Sequence, residues 1–241
     1  MNRRVGMYRI GALTIGQAPR DDVVPALRTA FRRPVEVLEK GALDDLDRTA
    51  ISALRPDPDE VGLVSRLRDG TEVLLSQRKL MPLMQAAVDD LVAAGAELIV
   101  VLCGADWAGL RSPVLLVNPG RLFPAVIGAL AAGRRLGIIK PSAGQVEKER
   151  ARYAAMGIEA VVTAASPYAG PGRLELARAA ARELATAGVD LVWMTCIGMD
   201  DAMREVVAQE TGRPVILARS LLGAILEQLL TPAAVAGPER R

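Results

Sequence analysis

The chain has 241 residues, of which 51% are hydrophobic and 3% aromatic, and 30 basic and 28 acidic residues give it a formal net charge of +2. This length allows one large domain or two domains of roughly 100–120 residues, and the balanced charge provides no electrostatic footprint for nucleic acid or an anionic membrane. Histidine is absent from the sequence, which excludes Ser-His-Asp and Cys-His catalytic systems and any histidine-based metal site.

Short apolar runs alternate with amphipathic stretches along the chain, a pattern that is typical of βα units and mainly parallel sheets. Strands are predicted at residues 8–15, 35–38, 71–75, 97–102, 114–117, 135–139, 160–163, 190–195 and 215–217. Helices are predicted at residues 21–31, 81–94, 121–132, 145–156, 173–187, 200–210 and 220–230. No apolar run reaches the roughly 18–20 residues of a membrane span, and the N-terminus lacks the features of a signal peptide. We therefore expect a cytoplasmic protein with free thiols.

The second part of the chain repeats the first. Residues 87–103 read AVDDLVAAGAELIVVLC and residues 180–196 read AARELATAGVDLVWMTC, so in both segments a helix ends at a glycine and the next strand leads into a cysteine. Two further pairs of segments match in the same order, residues 10–14 with 136–140 and residues 113–116 with 214–217. We therefore predict two pseudo-twofold-related α/β domains, made of residues 1–120 plus 215–241 and residues 121–214.

The only two cysteines of the chain, Cys103 and Cys196, lie at equivalent positions of this repeat. In doubly wound α/β domains the carboxyl ends of the strands form the ligand site, so we expect the two thiols to face one cleft from opposite sides. A purely structural role is the alternative, since buried cysteines are common. An opposed thiol pair suits proton transfer at carbon, because one thiolate can remove a proton from one face and the other thiol can return a proton to the opposite face.

Four segments carry a resemblance to a known family: LTIGQAPR at residues 13–20, DGTEVLLSQRK at 69–79, PGRLFP at 119–124 and DLVWMTCIG at 190–198. On these segments the chain resembles AroM-like proteins of the aspartate/glutamate racemase superfamily. The resemblance implies two flavodoxin-like domains, each with a mainly parallel sheet flanked by helices, and cofactor-independent chemistry on small carboxylates. Racemases of this superfamily usually follow the first cysteine with Asn-Thr, whereas this chain has Gly104 and Ala105. This difference favours a less polar substrate, such as a hydantoin-like ring.

The loops that follow the predicted strands supply the other candidates for the substrate site. Arg20 and Arg78 could bind a carboxylate through the planar guanidinium, and Lys140 takes the repeat position of Thr14. The backbone of the turns after the two cysteines can hold an anion. The candidate substrate-binding residues are Thr14, Gln17, Arg20, Ser76, Gln77, Arg78, Gly104, Asn118, Lys140, Ile197 and Gly198.

We predict a cofactor-independent racemase or epimerase that uses Cys103 and Cys196 as the opposed acid and base. A decarboxylase or a cis–trans isomerase on the same scaffold would need only one cysteine, and a small-molecule-binding protein without turnover is the third alternative. The expected partner is a small-molecule substrate, with neither nucleic acid nor a membrane, and the family resemblance implies a homodimer or a higher homo-oligomer. Neither a cofactor nor a metal site is expected.

Overall fold

The computed structural model describes residues 7–230, which form two parallel β-sheets, one antiparallel hairpin and the helices around them. The strands are β1 (Tyr8–Thr14), β2 (Val35–Gly41), β3 (Leu63–Arg66), β4 (Glu72–Leu75), β5 (Leu98–Val101), β6 (Leu115–Val117), β7 (Leu136–Lys140), β8 (Ala160–Ala164), β9 (Leu191–Met194) and β10 (Val215–Leu217). The α-helices are α1 (Val24–Arg28), α2 (Arg48–Ala53), α3 (Gln77–Ala93), α4 (Pro119–Leu130), α5 (Val146–Ala155), α6 (Arg173–Thr186), α7 (Asp201–Thr211) and α8 (Ala218–Leu229). Short 3-10 helices lie at Ala143–Gln145 and Gly170–Gly172.

The two parallel sheets have the same strand order. The first sheet has the order β2-β1-β5-β6 and the second has the order β8-β7-β9-β10, and every neighbouring pair in them is parallel. Each strand of the first sheet therefore has a counterpart in the second, with β5 corresponding to β9. This correspondence confirms the predicted pair of α/β domains and agrees with the repeat in the sequence.

Local sequence explains the two strands that lead to the cysteines. Strand β5 is an unbroken Leu-Ile-Val-Val run that is buried throughout, as expected for a strand covered by helices on both faces. Gly95 and Gly188, which follow helices α3 and α6, have φ angles of +87° and +69°. Glycine adopts such angles without the strain that a side chain would add. Both helices therefore end at the predicted glycines, and the chain turns directly into β5 and β9.

Three clusters of buried apolar side chains hold the layers together. One cluster is shared between the two sheets and includes Ile10 of β1, Ile138 of β7 and Trp193 of β9. Within it, Phe123 of α4 contacts Trp193 edge to face, with ring centroids 5.1 Å apart. The other two clusters cover the opposite faces, where α3 and the hairpin β3–β4 pack on the first sheet and α6 and α7 pack on the second. The shared cluster fixes the two sheets relative to each other.

One predicted strand belongs to a different structure from the one expected. The sequence pattern predicts residues 71–75 as a strand of the parallel sheet, but β4 pairs antiparallel with β3, a strand absent from the prediction. The two strands are joined by a tight turn at Asp69 and Gly70, where Gly70 has a φ of +89°. So short a connection forces antiparallel pairing, because a parallel pair needs a long crossover. The Asp-Gly pair is itself a hairpin signal.

The predicted division of the chain at residue 215 stays a prediction. Strand β10 pairs with β9 of the second sheet, whereas α8, which follows it, packs against α1 of the first half with Gly223 close to Ala30. The segment from 215 to 230 thus contacts both halves, and residues 231–241 lie outside the described residues. Among residues 7–230, no helix is both long enough and apolar enough to cross a membrane.

Candidate active site

Both cysteines line one cavity of about 370 Å³ at the carboxyl ends of the two parallel sheets. Cys103 comes just after β5 and Cys196 just after β9, so the two residues occupy equivalent positions in the two halves. Each is a free thiol and is partly exposed. The cavity therefore combines groups from both halves of the chain around a pair of thiols.

The chain turns in the same way after each cysteine. The Ala105 N–H donates to the Cys103 sulfur and the Gly198 N–H donates to the Cys196 sulfur, both at 3.4 Å. A hydrogen bond of this kind favours the thiolate, which is the reactive form of cysteine. The two turns therefore provide matching local support for negative charge on sulfur.

The charged groups around the two thiols differ. Burial raises the pKa of Cys103, the nearby Cys196 sulfur raises it further, and Lys140 acts in the opposite direction. Burial also raises the pKa of Cys196, but three positive charges act in the opposite direction, those of Arg20, Lys140 and Arg219. Cations favour a thiolate over a thiol. Cys196 is therefore better placed than Cys103 to lose its proton first.

Arg20 and Tyr168 form a bridge between the two halves at the cavity. Arg20 is 3% exposed, and its Nη2 donates to the Tyr168 hydroxyl at 3.0 Å. The guanidinium also donates to both carboxylate oxygens of Asp22, at 2.8 and 2.9 Å, and to the Thr14 hydroxyl at 2.8 Å. Burial lowers the pKa of Arg20, but Tyr168 and Asp22 more than offset this effect, so the guanidinium stays charged. Burial raises the pKa of Tyr168, which keeps its proton available for donation to a ligand.

The cavity wall carries an excess of positive charge. Lys140 and Glu149 form a largely buried ion pair, with 3.3 Å between Nζ and Oε2 and side-chain exposures of 13% and 10%. Basic residues on the wall outnumber acidic ones, with Arg20, Lys140, Lys148 and Arg152 against Asp106 and Glu149. This balance suits an anionic ligand. Within residues 7–230, no group of three or more His, Cys, Asp or Glu side chains is arranged to hold a metal ion.

Equivalent residues hold the segments that follow the two cysteines. Arg219 donates from Nε to the Ile197 carbonyl at 3.1 Å and from Nη2 to the Gly198 carbonyl at 2.8 Å. Asn118 directly follows β6, just as Arg219 closely follows β10. The side-chain oxygen of Asn118 accepts a hydrogen bond from the Trp107 N–H at 3.4 Å. Arg219 is 5% exposed. Asn118 therefore positions the segment after Cys103 and Arg219 the segment after Cys196, and neither residue lines the cavity.

The cavity brings together eight of the thirteen residues predicted for the site. They are Cys103, Cys196, Arg20, Gln77, Gly104, Lys140, Ile197 and Gly198. The remaining five do not line the cavity: Thr14, Gln17, Ser76, Arg78 and Asn118. Thr14 and Asn118 contact residues near the cavity instead, because Thr14 accepts a hydrogen bond from Arg20 and Asn118 holds the segment after Cys103.

The other three residues lie away from the cavity for local reasons. Ser76 and Arg78 follow β4 of the hairpin, where the chain begins helix α3, and of this segment Gln77 lines the cavity. Arg78 pairs with Asp57, and its side chain is 70% exposed. Ser76 caps the N-terminus of α3. Gln17 donates from its amide to the Leu43 carbonyl at 3.2 Å.

Several important residues were missed by reasoning from sequence. Tyr168 follows the predicted strand at 160–163, so the rule that selected the other loop residues also points to it. Arg219 corresponds to Asn118 when residues 113–116 are aligned with 214–217. Ser65 lies in the unpredicted strand β3, and Glu149 lies in a helix with many charged residues, so neither had a signal of its own.

The two-sheet fold, with its cavity at the carboxyl ends of both sheets, is shared with solved structures of other proteins. One similar solved structure is glutamate racemase from Aquifex pyrophilus, with 15% identity, a TM-score of 0.57, and coverage of 93% of this chain and 84% of that chain. The maleate isomerase Iso from Pseudomonas putida S16 has 14% identity and a TM-score of 0.55, with 93% of each chain covered. Arylmalonate decarboxylase has 15% identity and a TM-score of 0.51, with 91% of this chain and 92% of that chain covered. At these identities the likeness shows the fold. The chain belongs to the AroM family, because the family model for the AroM protein matches residues 10–230. No curated protein sequence matches the chain.

Proposed function

We propose that the protein is a cofactor-independent racemase or epimerase, in which Cys103 and Cys196 exchange the α-proton of a small carboxylate or a hydantoin-like ring. One observation carries the proposal: two thiols reach the same cavity from equivalent strands of the two halves. Groups on opposite sides of a bound carbon acid can remove a proton from one face and return a proton to the other. The glutamate racemase among the similar structures supports this reaction class.

The charge distribution supports Cys196 as the base that acts first. Its thiolate removes the α-proton, and the electron pair of the broken C–H bond is delocalised into the adjacent carboxylate. The Cys103 thiol then donates its proton to the opposite face of the same carbon. The protein is left with a protonated Cys196 and a Cys103 thiolate, so the next turnover starts from the other face.

Arg20 and Tyr168 are the proposed anchor for the substrate carboxylate. Asp22 and Thr14 hold the guanidinium in place, and Tyr168 keeps a proton to donate. Charge increases on the carboxylate oxygens as the α-proton leaves, and donors fixed in advance stabilise that charge most effectively. Lys140 supplies a further positive charge that acts on both thiols.

A reaction that uses one cysteine is the second candidate, because the two thiols differ in their charged surroundings. A decarboxylase or a cis–trans isomerase needs a single cysteine as acid or nucleophile, and Cys196 with three positive charges around it fits that role. Arylmalonate decarboxylase and the maleate isomerase share the fold. A binding protein without turnover is the third candidate.

Proton exchange in deuterated water separates these candidates. The protein is incubated with a panel of amino acids, hydantoins and hydroxy acids, and loss of the α-proton signal is followed by NMR. We expect exchange that Cys103→Ser and Cys196→Ser each reduce by roughly 100-fold or more. Dependence on one cysteine alone would favour the second candidate, and binding without exchange would favour the third. Exchange that persists when both substitutions are combined would contradict the proposal.

A further inference from the structure

Gln145 contributes an uncharged amide to the wall of the cavity. The residue ends the 3-10 helix that follows β7 and directly precedes α5, and its backbone N–H donates to the Ser142 carbonyl at 3.1 Å. Its side chain reaches the other half of the chain, where Nε2 donates to the Gly62 carbonyl at 3.0 Å. Val61 and Leu63, on either side of Gly62, line the cavity, as Gln145 does. The side-chain amide therefore lies where the two halves meet at the cavity wall.

The bond to Gly62 determines which end of this amide is available to a ligand. A carbonyl can only accept a hydrogen bond, so Nε2 faces Gly62 and Oε1 is left as an acceptor. Oε1 accepts no hydrogen bond within residues 7–230 and, unlike the fully enclosed hydroxyl of Ser65, it keeps accessible surface. Because Gln145 is 9% exposed and lines the cavity, that surface opens onto the cavity. A group held in place before binding loses little conformational freedom when the ligand arrives.

The charges of the wall decide which kind of donor suits this oxygen. Basic residues outnumber acidic ones on the wall, and both acidic residues are already paired. Glu149 pairs with Lys140 at 3.3 Å, and Asp106 pairs with Arg121 at 3.1 Å. An ammonium group would leave water for a wall on which, within residues 7–230, no carboxylate is unpaired, and this costs far more than desolvating a neutral N–H. A neutral N–H needs only an uncharged acceptor, which Oε1 of Gln145 provides.

We propose that Gln145 is a specificity-determining residue, and that its Oε1 accepts a hydrogen bond from an uncharged N–H of the substrate. This inference rests on the proposed function, because it specifies the substrate of the same site. The substrate class is an N-acylated amino acid or a hydantoin, in which the nitrogen carries a proton but no charge. A free amino acid, whose nitrogen is an ammonium group, is disfavoured by the positive wall.

Binding of matched ligands tests the role of Gln145 without depending on turnover. Affinities are measured by calorimetry on a starting chain that carries Cys103→Ser and Cys196→Ser, with leucine, N-acetylleucine and N-acetyl-N-methylleucine. We expect N-acetylleucine to bind more tightly than leucine by roughly tenfold or more. Methylation removes the N–H, and we expect it to reduce the affinity by a factor roughly 3–10 larger in the starting chain than in Gln145→Leu. Gln85→Leu is the control and changes none of these affinities, because the Gln85 amide donates to the Arg111 carbonyl at 2.9 Å and does not line the cavity.

A charged variant separates a specificity role from a structural one, and it decides the matter if Gln145→Leu does not fold. Gln145→Glu offers an anionic acceptor of the same length, so we expect the preference for N-acetylleucine over leucine to fall by roughly tenfold or more. Loss of a structural contact alone would leave that preference unchanged.

Four results would each overturn the inference: an equal effect of methylation in the starting chain and in Gln145→Leu, leucine binding as tightly as N-acetylleucine to the starting chain, an unchanged preference in Gln145→Glu, or no binding by any ligand. Proton exchange by the chain with both cysteines reports on the reaction separately. Absence of exchange together with Gln145-dependent selectivity would remove the reaction and leave the inference standing.

Discussion

Arg20 and Tyr168 connect the two halves of the protein directly, through a 3.0 Å hydrogen bond from Nη2 of Arg20 to the Tyr168 hydroxyl. The bond joins the loop after β1 of the first sheet to the loop after β8 of the second sheet. Both residues line the cavity. The proposed carboxylate anchor therefore depends on both halves being correctly placed.

We predict that Tyr168→Phe lowers kcat/KM for proton exchange by roughly tenfold or more, because a hydrogen bond to a charged group contributes about 1.5–3 kcal/mol. Tyr153→Phe is the matched control. Its hydroxyl is buried without a partner among residues 7–230, and the residue does not line the cavity, so exchange should be unchanged and stability equal or higher. Exchange rates and thermal unfolding check both variants. Similar losses of activity in the two would contradict the anchoring role of Tyr168.

Arg219→Met should slow the reaction by displacing the segment after Cys196. The substitution keeps a long side chain but leaves the buried carbonyls of Ile197 and Gly198 without their donors, at a cost of about 2 kcal/mol or more. We expect kcat to fall more than KM rises, together with altered alkylation of Cys196 by iodoacetamide. The exposed Arg213 offers the control substitution Arg213→Met. Loss of stability with unchanged kcat and alkylation would speak against a positioning role.

The raised pKa of both thiols predicts an alkaline activity profile. Burial raises the pKa of Cys103 and of Cys196, so kcat/KM should increase with pH until the first thiol ionises, above the ordinary value of about 8.5. It should fall again when the second thiol ionises, because the acid is then lost. Exchange measured from about pH 6 to about pH 10 checks this profile. A plateau already reached at neutral pH would contradict it.

The same shifts predict that the folded protein loses stability in alkaline solution. A thiol whose pKa is higher in the folded chain than in the unfolded chain stabilises the fold below the unfolded value, and this contribution disappears as pH rises through the folded value. Urea unfolding should therefore show a free energy of unfolding that decreases above about pH 8.5. Combining Cys103→Ser with Cys196→Ser should weaken this decrease. If the free energy of unfolding of the double variant falls with pH as steeply as that of the parent chain, groups other than the two thiols cause the decrease.

Gly120→Ala should destabilise the protein, because a β-carbon at position 120 would overlap the backbone of Ala105 in the segment after Cys103. Backbone cannot move aside as a flexible side chain can, so we expect a loss of about 2 kcal/mol or more in the free energy of unfolding. Gly144→Ala is the control, since its β-carbon would have only an ordinary contact, 3.8 Å from the Ser142 hydroxyl. Chemical denaturation compares the two variants. Equal stabilities would show that the contact at Ala105 is looser than described.

Much of the fold could be predicted because it is specified locally and repeated. The segments at 87–103 and 180–196 each carry a helix, a glycine turn and an apolar strand, and the structure has the same succession in both halves. The equivalence of the two cysteines followed from this repeat. Strand ends, turn glycines and carboxyl-edge loops depend on nearby residues, which sequence patterns report well.

The hairpin and the contacts between the halves were harder to predict, because they depend on tertiary neighbours. Strand β4 was expected in the parallel sheet, and for that reason Ser76 and Arg78 were predicted at the site together with Gln77, which does line the cavity. Ser65 and Glu149 reach the cavity only through the packing of the hairpin and of α5. The side chain of Arg219 meets Ile197 and Gly198 across 22 and 21 positions of sequence, a relation that no local pattern contains.

The most direct test of the two-cysteine proposal is the location of deuterium at low conversion, with a compound from the panel that undergoes exchange in deuterated water. We predict that the newly formed stereoisomer carries deuterium at the α-carbon while the recovered substrate remains protonated, because different groups remove and return the proton. Deuterium that enters the recovered substrate as fast as the product, or a product that keeps the substrate's own proton, would contradict the proposal, since one group would then serve both faces.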